Sequence, residues 1–80
     1  MVAPAARGRG IAPRAVELLT RWGFDELELL RIELLIDVRN AASETVAQRS
    51  GYRQDGILRN VHFKGDLRCD LGIWSRLSQD

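Results

Sequence analysis

Arg7-Gly8-Arg9-Gly10-Ile11-Ala12 runs directly into Pro13 and an apolar-periodic stretch. Two glycines let the backbone turn with φ > 0, and the chain then enters a helix whose first N–H groups have no partner inside it. Such an entrance suits an anion. The orphan amides, the positive end of the helix dipole and a concave nest of N–H groups favour phosphate or pyrophosphate, and Arg7, Arg9 and Arg14 add formal charge. The same loop on its own is also an ordinary helix start. A dinucleotide fingerprint fits less well, because Gly8-x-Gly10 is followed by Pro13 where a third glycine belongs and no strand is read before it.

Downstream, Ile11, Ala15, Leu18, Leu19 and Trp22 recur at helical spacing, which predicts a helix from Ile11 to about Leu27 with Pro13 in its first turn. Gly23 costs about 1 kcal/mol relative to Ala in a helix, so the helix is expected to bend or loosen before Phe24. Leu30 to Val38 alternates, with Ile32, Leu34 and Ile36 on one face and Arg31, Glu33 and Asp37 on the other, the pattern of a strand with one buried side. Leu35 interrupts the polar face and predicts partial cover there. Asn40 is placed to cap a second helix that stops at Gly51; only Ala42, Val46 and Ala47 give it an apolar side.

From Tyr52 onward the pattern is β. Ile57, Val61 and Phe63 are read as an inner face, Lys64-Gly65-Asp66 as a turn, and Leu67, Cys69, Leu71 and Ile73 as one face of a returning strand. Tyr52, Trp22 and Trp74 are read as packing residues, and Cys69 as half-buried. Met1 to Ala6 reads as a loop or the tail of a preceding element. The fold class is α/β (α+β), in the order helix, strand, helix, strand, strand, and the Leu30 to Val38 strand is expected to have an open edge.

Eighty residues form one small domain at most. One cysteine excludes an internal disulfide framework, and Cys69 with one histidine gives no metal-ligand spacing, so no metal is expected. A net charge of +1 with 29% charged residues describes a mixed-sign surface rather than a polyanion binder. Asp25, Glu26, Glu28, Glu33 and Asp37 nearly offset the arginines, which argues against a nucleic-acid backbone as partner. No apolar run approaches 18 residues and the start lacks a signal-peptide core, so a cytoplasmic protein with no membrane contact is the expectation.

Taken together, Arg7 to Ala12, the strand ending Ile36-Asp37-Val38-Arg39-Asn40, Asn40-x-x-Ser43, Ser50-Gly51-Tyr52-Arg53, Gly56-Ile57-Leu58 and Gly65-Asp66-Leu67-Arg68-Cys69-Asp70 resemble the C-terminal half of a GNAT N-acetyltransferase. The resemblance runs from about Val2 to Leu77 and is narrower toward the RimJ- and RimL-like branch that acetylates ribosomal-protein N-termini. It implies that residues 1–80 are a partial domain, the acetyl-CoA-binding half, without the N-terminal half that forms the acceptor groove.

The same resemblance implies roles. Acetyl-CoA, a co-substrate, would lay its pyrophosphate on the loop formed by Arg7, Gly8, Arg9, Gly10, Ile11 and Ala12. Its pantetheine arm would run between two splayed parallel strands, facing Asn40 and Ser43. Ala47 stands where many relatives carry a tyrosine acid, which leaves Ser43 to stabilise or protonate the departing thiolate. His62 stands where relatives can carry a glutamate that accepts the proton of the attacking amine, and an imidazole can serve that role. Capping alone explains Asn40 and Ser43 equally well, and surface placement explains His62. The implied partner is an amine acceptor, a protein N-terminus or a small molecule. Two further readings remain open, a non-catalytic CoA-binding module and a structural remnant that self-associates, as a homo-oligomer or with a partner that supplies the other half.

Overall fold

The computed structural model describes residues 2–4, 11–64 and 67–80; for residues 2–4 and 62–64 it describes the backbone alone. The elements are β1 (Val2–Pro4), α1 (Pro13–Arg21) continuing into a π-helical segment (Trp22–Glu26), β2 (Arg31–Asp37), α2 (Ala41–Arg49), β3 (Arg53–Lys64) and β4 (Leu67–Leu77). From residue 13 onward this is the order the sequence predicts. The strands form a mixed sheet in the order β1-β2-β4-β3, with β1 parallel to β2 and both other pairings antiparallel. Two expectations are thereby corrected. The first residues contain a strand, Val2–Pro4, and β2 is flanked on both sides, by β1 and by β4. A strand of three residues is too short to show alternation, so only its pairing reveals it.

The core is built on β2. Ile32, Leu34 and Ile36 are buried on one face, and Val16 from α1, Ala47 from α2, Tyr52 and Trp74 close over them. Burial of each large aliphatic side chain contributes about 1.5–3 kcal/mol. On the other face Leu35 is half-buried as expected, but Asp37 is buried rather than solvated. Its carboxylate accepts bonds from Arg39 N (2.9 Å), Nε (3.1 Å) and Nη2 (2.8 Å), which compensates for its removal from water. The same turn closes through Asn40 N donating to Asp37 O at 2.8 Å and delivers the chain to α2.

Helix α1 turns a different side to the sheet from the one its apolar count suggests. Val16 and Thr20 are buried and Leu19 is packed against the core, whereas Ala15 is exposed and Leu18 and Trp22 are each 50% exposed. Trp22 is therefore not a packing residue. The orientation follows from two residues that hydropathy discounts. Thr20 can be buried because its hydroxyl bonds to Tyr52, and Gly23 lets the backbone approach β2 so closely that a Cβ there would lie 2.7 Å from Ile32 Cδ1. The loosening expected at Gly23 is present as the π-helical segment, with Leu27 N donating to Trp22 O at 3.2 Å.

The hairpin departs from simple alternation. Ile57, expected inside, is 54% exposed, and Leu58 is also exposed; Val61 is half-buried, and the side chain of Phe63 lies outside the described residues. Register shifts between Gln54 and Gly56, Leu58 and Val61, and His62 and Lys64 break the period of two that the reading assumed. At the second shift Asn60 adopts φ +53° and its N–H donates to Asp70 Oδ1 at 2.7 Å. Gly65 and Asp66, read as the turn, lie outside the described residues, while Lys64 and Leu67 on either side of them are paired. Cys69 is buried, not half-buried, and is a free thiol.

Candidate functional site

The two helices lie side by side in the same direction, fixed at both ends by hydrogen bonds that each span 32 residues. At their N-termini Ile11 N donates to Ser43 Oγ at 2.9 Å, and at the other end Thr20 Oγ1, in the last turn of α1, lies 2.7 Å from Tyr52 Oη, three residues past α2. The N-termini differ in a way that matters for an anion. Helix α2 is capped internally: Asn40 Oδ1 accepts from Ser43 N at 3.2 Å, and Glu44 occupies the first turn. Helix α1 starts on Ala12 with no side-chain cap, has Pro13 at its first position and carries no acidic residue in its first turn. The positive end of α1 is thus not answered by a side chain of its own first turn, whereas that of α2 is.

Strands β1 and β2 supply the one parallel pairing among the described strands. Val2 pairs with Glu33, Ala3 with Leu34 and Pro4 with Leu35, and β2 continues through Ile36 to Asp37. Among the described residues, the parallel pairing stops two residues short of the end of β2.

Of the loop residues named from the sequence, Arg7, Gly8, Arg9 and Gly10 lie outside the described residues. Ile11 and Ala12 are described, and the Ile11 amide is already engaged by Ser43. Ser43 is completely buried, and Asn40 is half-buried beside it. The structure therefore brings together Ile11, Asn40 and Ser43. Ala47 lies one turn further along α2, in the core. His62 is in β3 opposite Arg68, and its side chain lies outside the described residues.

Sequence reasoning missed the Thr20–Tyr52 pair, although a threonine one turn after Val16 was its available signal. It also missed a cleft of about 340 Å³ between α1 and the end of α2, lined by Pro13, Glu17, Arg21, Arg49 and Arg76 among others. Arg76 Nη1 donates to Ser50 O at 3.0 Å, and its guanidinium stands 6.0 Å from the centre of the Phe24 ring. Burial pushes the Tyr52 hydroxyl above its usual pKa, against the opposing effects of its bond to Thr20 and the charge of Arg76. On the opposite face of the sheet, Asp55 is held below the usual carboxylate value by a hydrogen bond with Ser75 and by Arg31, which bridges it at 2.6 Å.

No described helix is long and apolar enough to cross a membrane.

Comparison with known proteins gives this geometry a family. The chain is 40% identical over 62 residues to the probable N-acetyltransferase YjcK of Bacillus subtilis, covering 76% of this chain and 34% of that protein. It is 30% identical over 79 residues to the putative ribosomal N-acetyltransferase YdaF of the same organism, covering 99% of this chain and 43% of the other. A crystal structure of a probable acetyltransferase superposes with a TM-score of 0.77 at 32% identity, over 90% of this chain and 41% of that one. The chain thus spans less than half the length of these relatives. Residues 1–53, which carry the loop, α1, β2 and α2 together, match the family model for the acetyltransferase (GNAT) domain, and on that match the chain belongs to the GNAT acetyltransferase family.

Proposed function

We propose that this chain is the acetyl-CoA-binding half of an N-acetyltransferase that transfers an acetyl group to a primary amine, a protein N-terminus or a small molecule. The observation that carries the reading is the uncapped, acid-free entrance of α1, tied by Ile11 to Ser43 at the start of α2, in a chain whose β1 pairs parallel to β2. An anion is favoured there by the helix dipole and unpaired amides. Because the Ile11 N–H is engaged by Ser43, the pyrophosphate contacts fall to the remaining loop amides, from Arg7 to Gly10 and at Ala12, and to the Arg7 and Arg9 side chains.

In this reading the neutral amine attacks the thioester carbonyl carbon, the C–N bond forms, and collapse of the tetrahedral adduct breaks the C–S bond. Ser43, whose hydroxyl accepts from Ile11 N, is the group assigned to stabilise or protonate the departing thiolate. Asn40 orients Ser43 through the backbone bond. His62 takes the proton lost by the amine nitrogen, the general-base role open to an imidazole. The acceptor groove belongs to the part of the relatives that this chain does not span.

Calorimetry with CoA tests the reading. The wild-type chain is expected to bind, and Gly10→Glu, which puts a carboxylate and a side chain into the loop, is expected to abolish binding. A folded wild-type chain that takes up no CoA would overturn it. A chain that binds CoA but releases no thiol from acetyl-CoA with any amine would favour the non-catalytic binding module instead.

A further inference from the structure

We propose that the outer ridge of α1 is a self-complementary surface on which a second copy of this chain docks, helix against antiparallel helix. The surface is separate from the site described above, and the acetyl-transfer reading neither requires nor supplies it. Two observations carry it, the order of side chains along the ridge and the lack of partners for the charges at its ends.

Helix α1 and the π-helical segment run on without a break from Pro13 to Glu26. Their inner side is set by Val16, Thr20 and Gly23, all buried. Facing away from the sheet, Arg14, Leu18, Trp22 and Glu26 follow one another at intervals of four residues, about 6 Å of rise each at α-helical pitch, and all four are exposed. Residues four apart form one of the ridges by which helices pack on one another. The two in the middle, Leu18 and Trp22, each leave half of their surface in water, side by side.

Along the chain the ridge is cation, apolar, apolar, anion, an order complementary to its own reverse. A two-fold axis between Leu18 and Trp22 sets Leu18 of each copy against Trp22 of the other and brings Arg14 of each to Glu26 of the other. Both charges are available for this. Neither Arg14 nor Glu26 forms an ion pair among the described residues, whereas Arg21, on the flank of the ridge, is held by Glu17 at 3.3 Å. A parallel pairing would oppose Arg14 to Arg14 and Glu26 to Glu26, so charge selects the antiparallel one. A single helix face is smaller than the surface of a permanent dimer, which places the association in the weak, reversible class.

Sedimentation equilibrium of the chain over a concentration series, at low ionic strength and with no nucleotide present, tests the proposal. A reversible monomer–dimer equilibrium is expected, weakened about tenfold or more by Trp22→Ala, the effect of truncating a central aromatic anchor. The charges supply the sharper arm. Arg14→Glu and Glu26→Arg each set like charges against one another at both ends of the ridge, and each alone is expected to weaken association about tenfold or more. An equimolar mixture of the two variants pairs opposite charges at both ends and is expected to recover wild-type association as a heterodimer. Both substitutions put their new charge where the helix dipole favours it, acid at the start and base at the end, and far-UV spectra with melting curves check that each variant is folded. A wild-type chain that stays monomeric across the series would overturn the proposal. So would a dimer indifferent to Trp22→Ala in its folded form, and so would a mixture that associates no better than its two components.

Discussion

Thr20 Oγ1 and Tyr52 Oη meet at 2.7 Å inside the core, joining the last turn of α1 to the chain three residues past the end of α2. Both residues are almost completely buried, so each hydroxyl is satisfied mainly by the other. Removing one partner leaves the second desolvated and unpaired, which costs about 1–3 kcal/mol, whereas removing both leaves no stranded polar group. Tyr52→Phe and Thr20→Val are each expected to lower the denaturant midpoint, and the double variant to lose clearly less than the sum of the two. Strict additivity in that cycle would show that the pair contributes nothing as a pair.

The same tyrosine predicts an alkaline limit to stability. Its folded pKa lies above the ordinary value of 10.0, so between the two pKa values the unfolded chain has lost a proton that the folded chain keeps. The contribution is fully present below pH 10 and declines as pH rises toward the folded pKa. The chain contains one tyrosine, so tyrosinate absorbance followed through a pH titration reports this group directly. Melting temperatures measured from pH 8 to 11 should fall more steeply for the wild type than for Tyr52→Phe.

Ser43 links the loop to the second helix, and its hydroxyl is the acceptor for Ile11 N. Ser43→Ala strands that amide in a partly buried place and should destabilise the fold by about 1–3 kcal/mol. Asn40→Ala removes the α2 cap, a loss of about 1 kcal/mol. In CoA binding the order is expected to be the same, with Ser43→Ala the more damaging because it frees the end of the loop. An unchanged denaturant midpoint in Ser43→Ala would contradict the structural half of this account.

Gly23 is required by proximity and Gly51 by conformation. A methyl group at Gly23 would approach Ile32 Cδ1 to 2.7 Å in the closed core, so Gly23→Ala should destabilise by about 1–3 kcal/mol despite the gain in helix propensity. Gly51 ends α2 at φ +87°, where Ala pays the left-handed penalty of about 1–2 kcal/mol. Thermal melts of the two variants check both figures; a stabilised Gly23→Ala would mean that the helix stands off from β2.

Asp55 predicts the behaviour in acid. Its folded pKa lies below the ordinary 3.8 because Ser75 and Arg31 favour the carboxylate. Its contribution is therefore complete above pH 3.8 and is lost as pH falls through the folded pKa. Asp55→Asn should flatten the acid side of the stability profile, and because the Arg31 pair is exposed, added salt should flatten the wild-type profile in the same direction.

Strand β2, the Asn40 cap, the Gly51 stop and the loosening at Gly23 were legible in the residues, because each depends on chemistry within a few positions: alternation, a side chain reaching its own helix, a positive φ, a missing Cβ. The buried face of α1 was not, since it depends on a hydroxyl from Tyr52 meeting Thr20 across 32 residues and on how closely Gly23 approaches Ile32. The outward turn of Ile57 was not, because register shifts are set by pairing with β4 and leave no mark in the local pattern. Nor was the pairing of Val2–Pro4 with β2, or the assembly of Arg21, Arg49 and Arg76 around one cleft. Local conformation follows from short-range sterics and hydrogen bonding that the sequence states directly. Which faces meet, and which distant polar groups satisfy one another, is decided only when the chain closes on itself and every buried donor must find its acceptor.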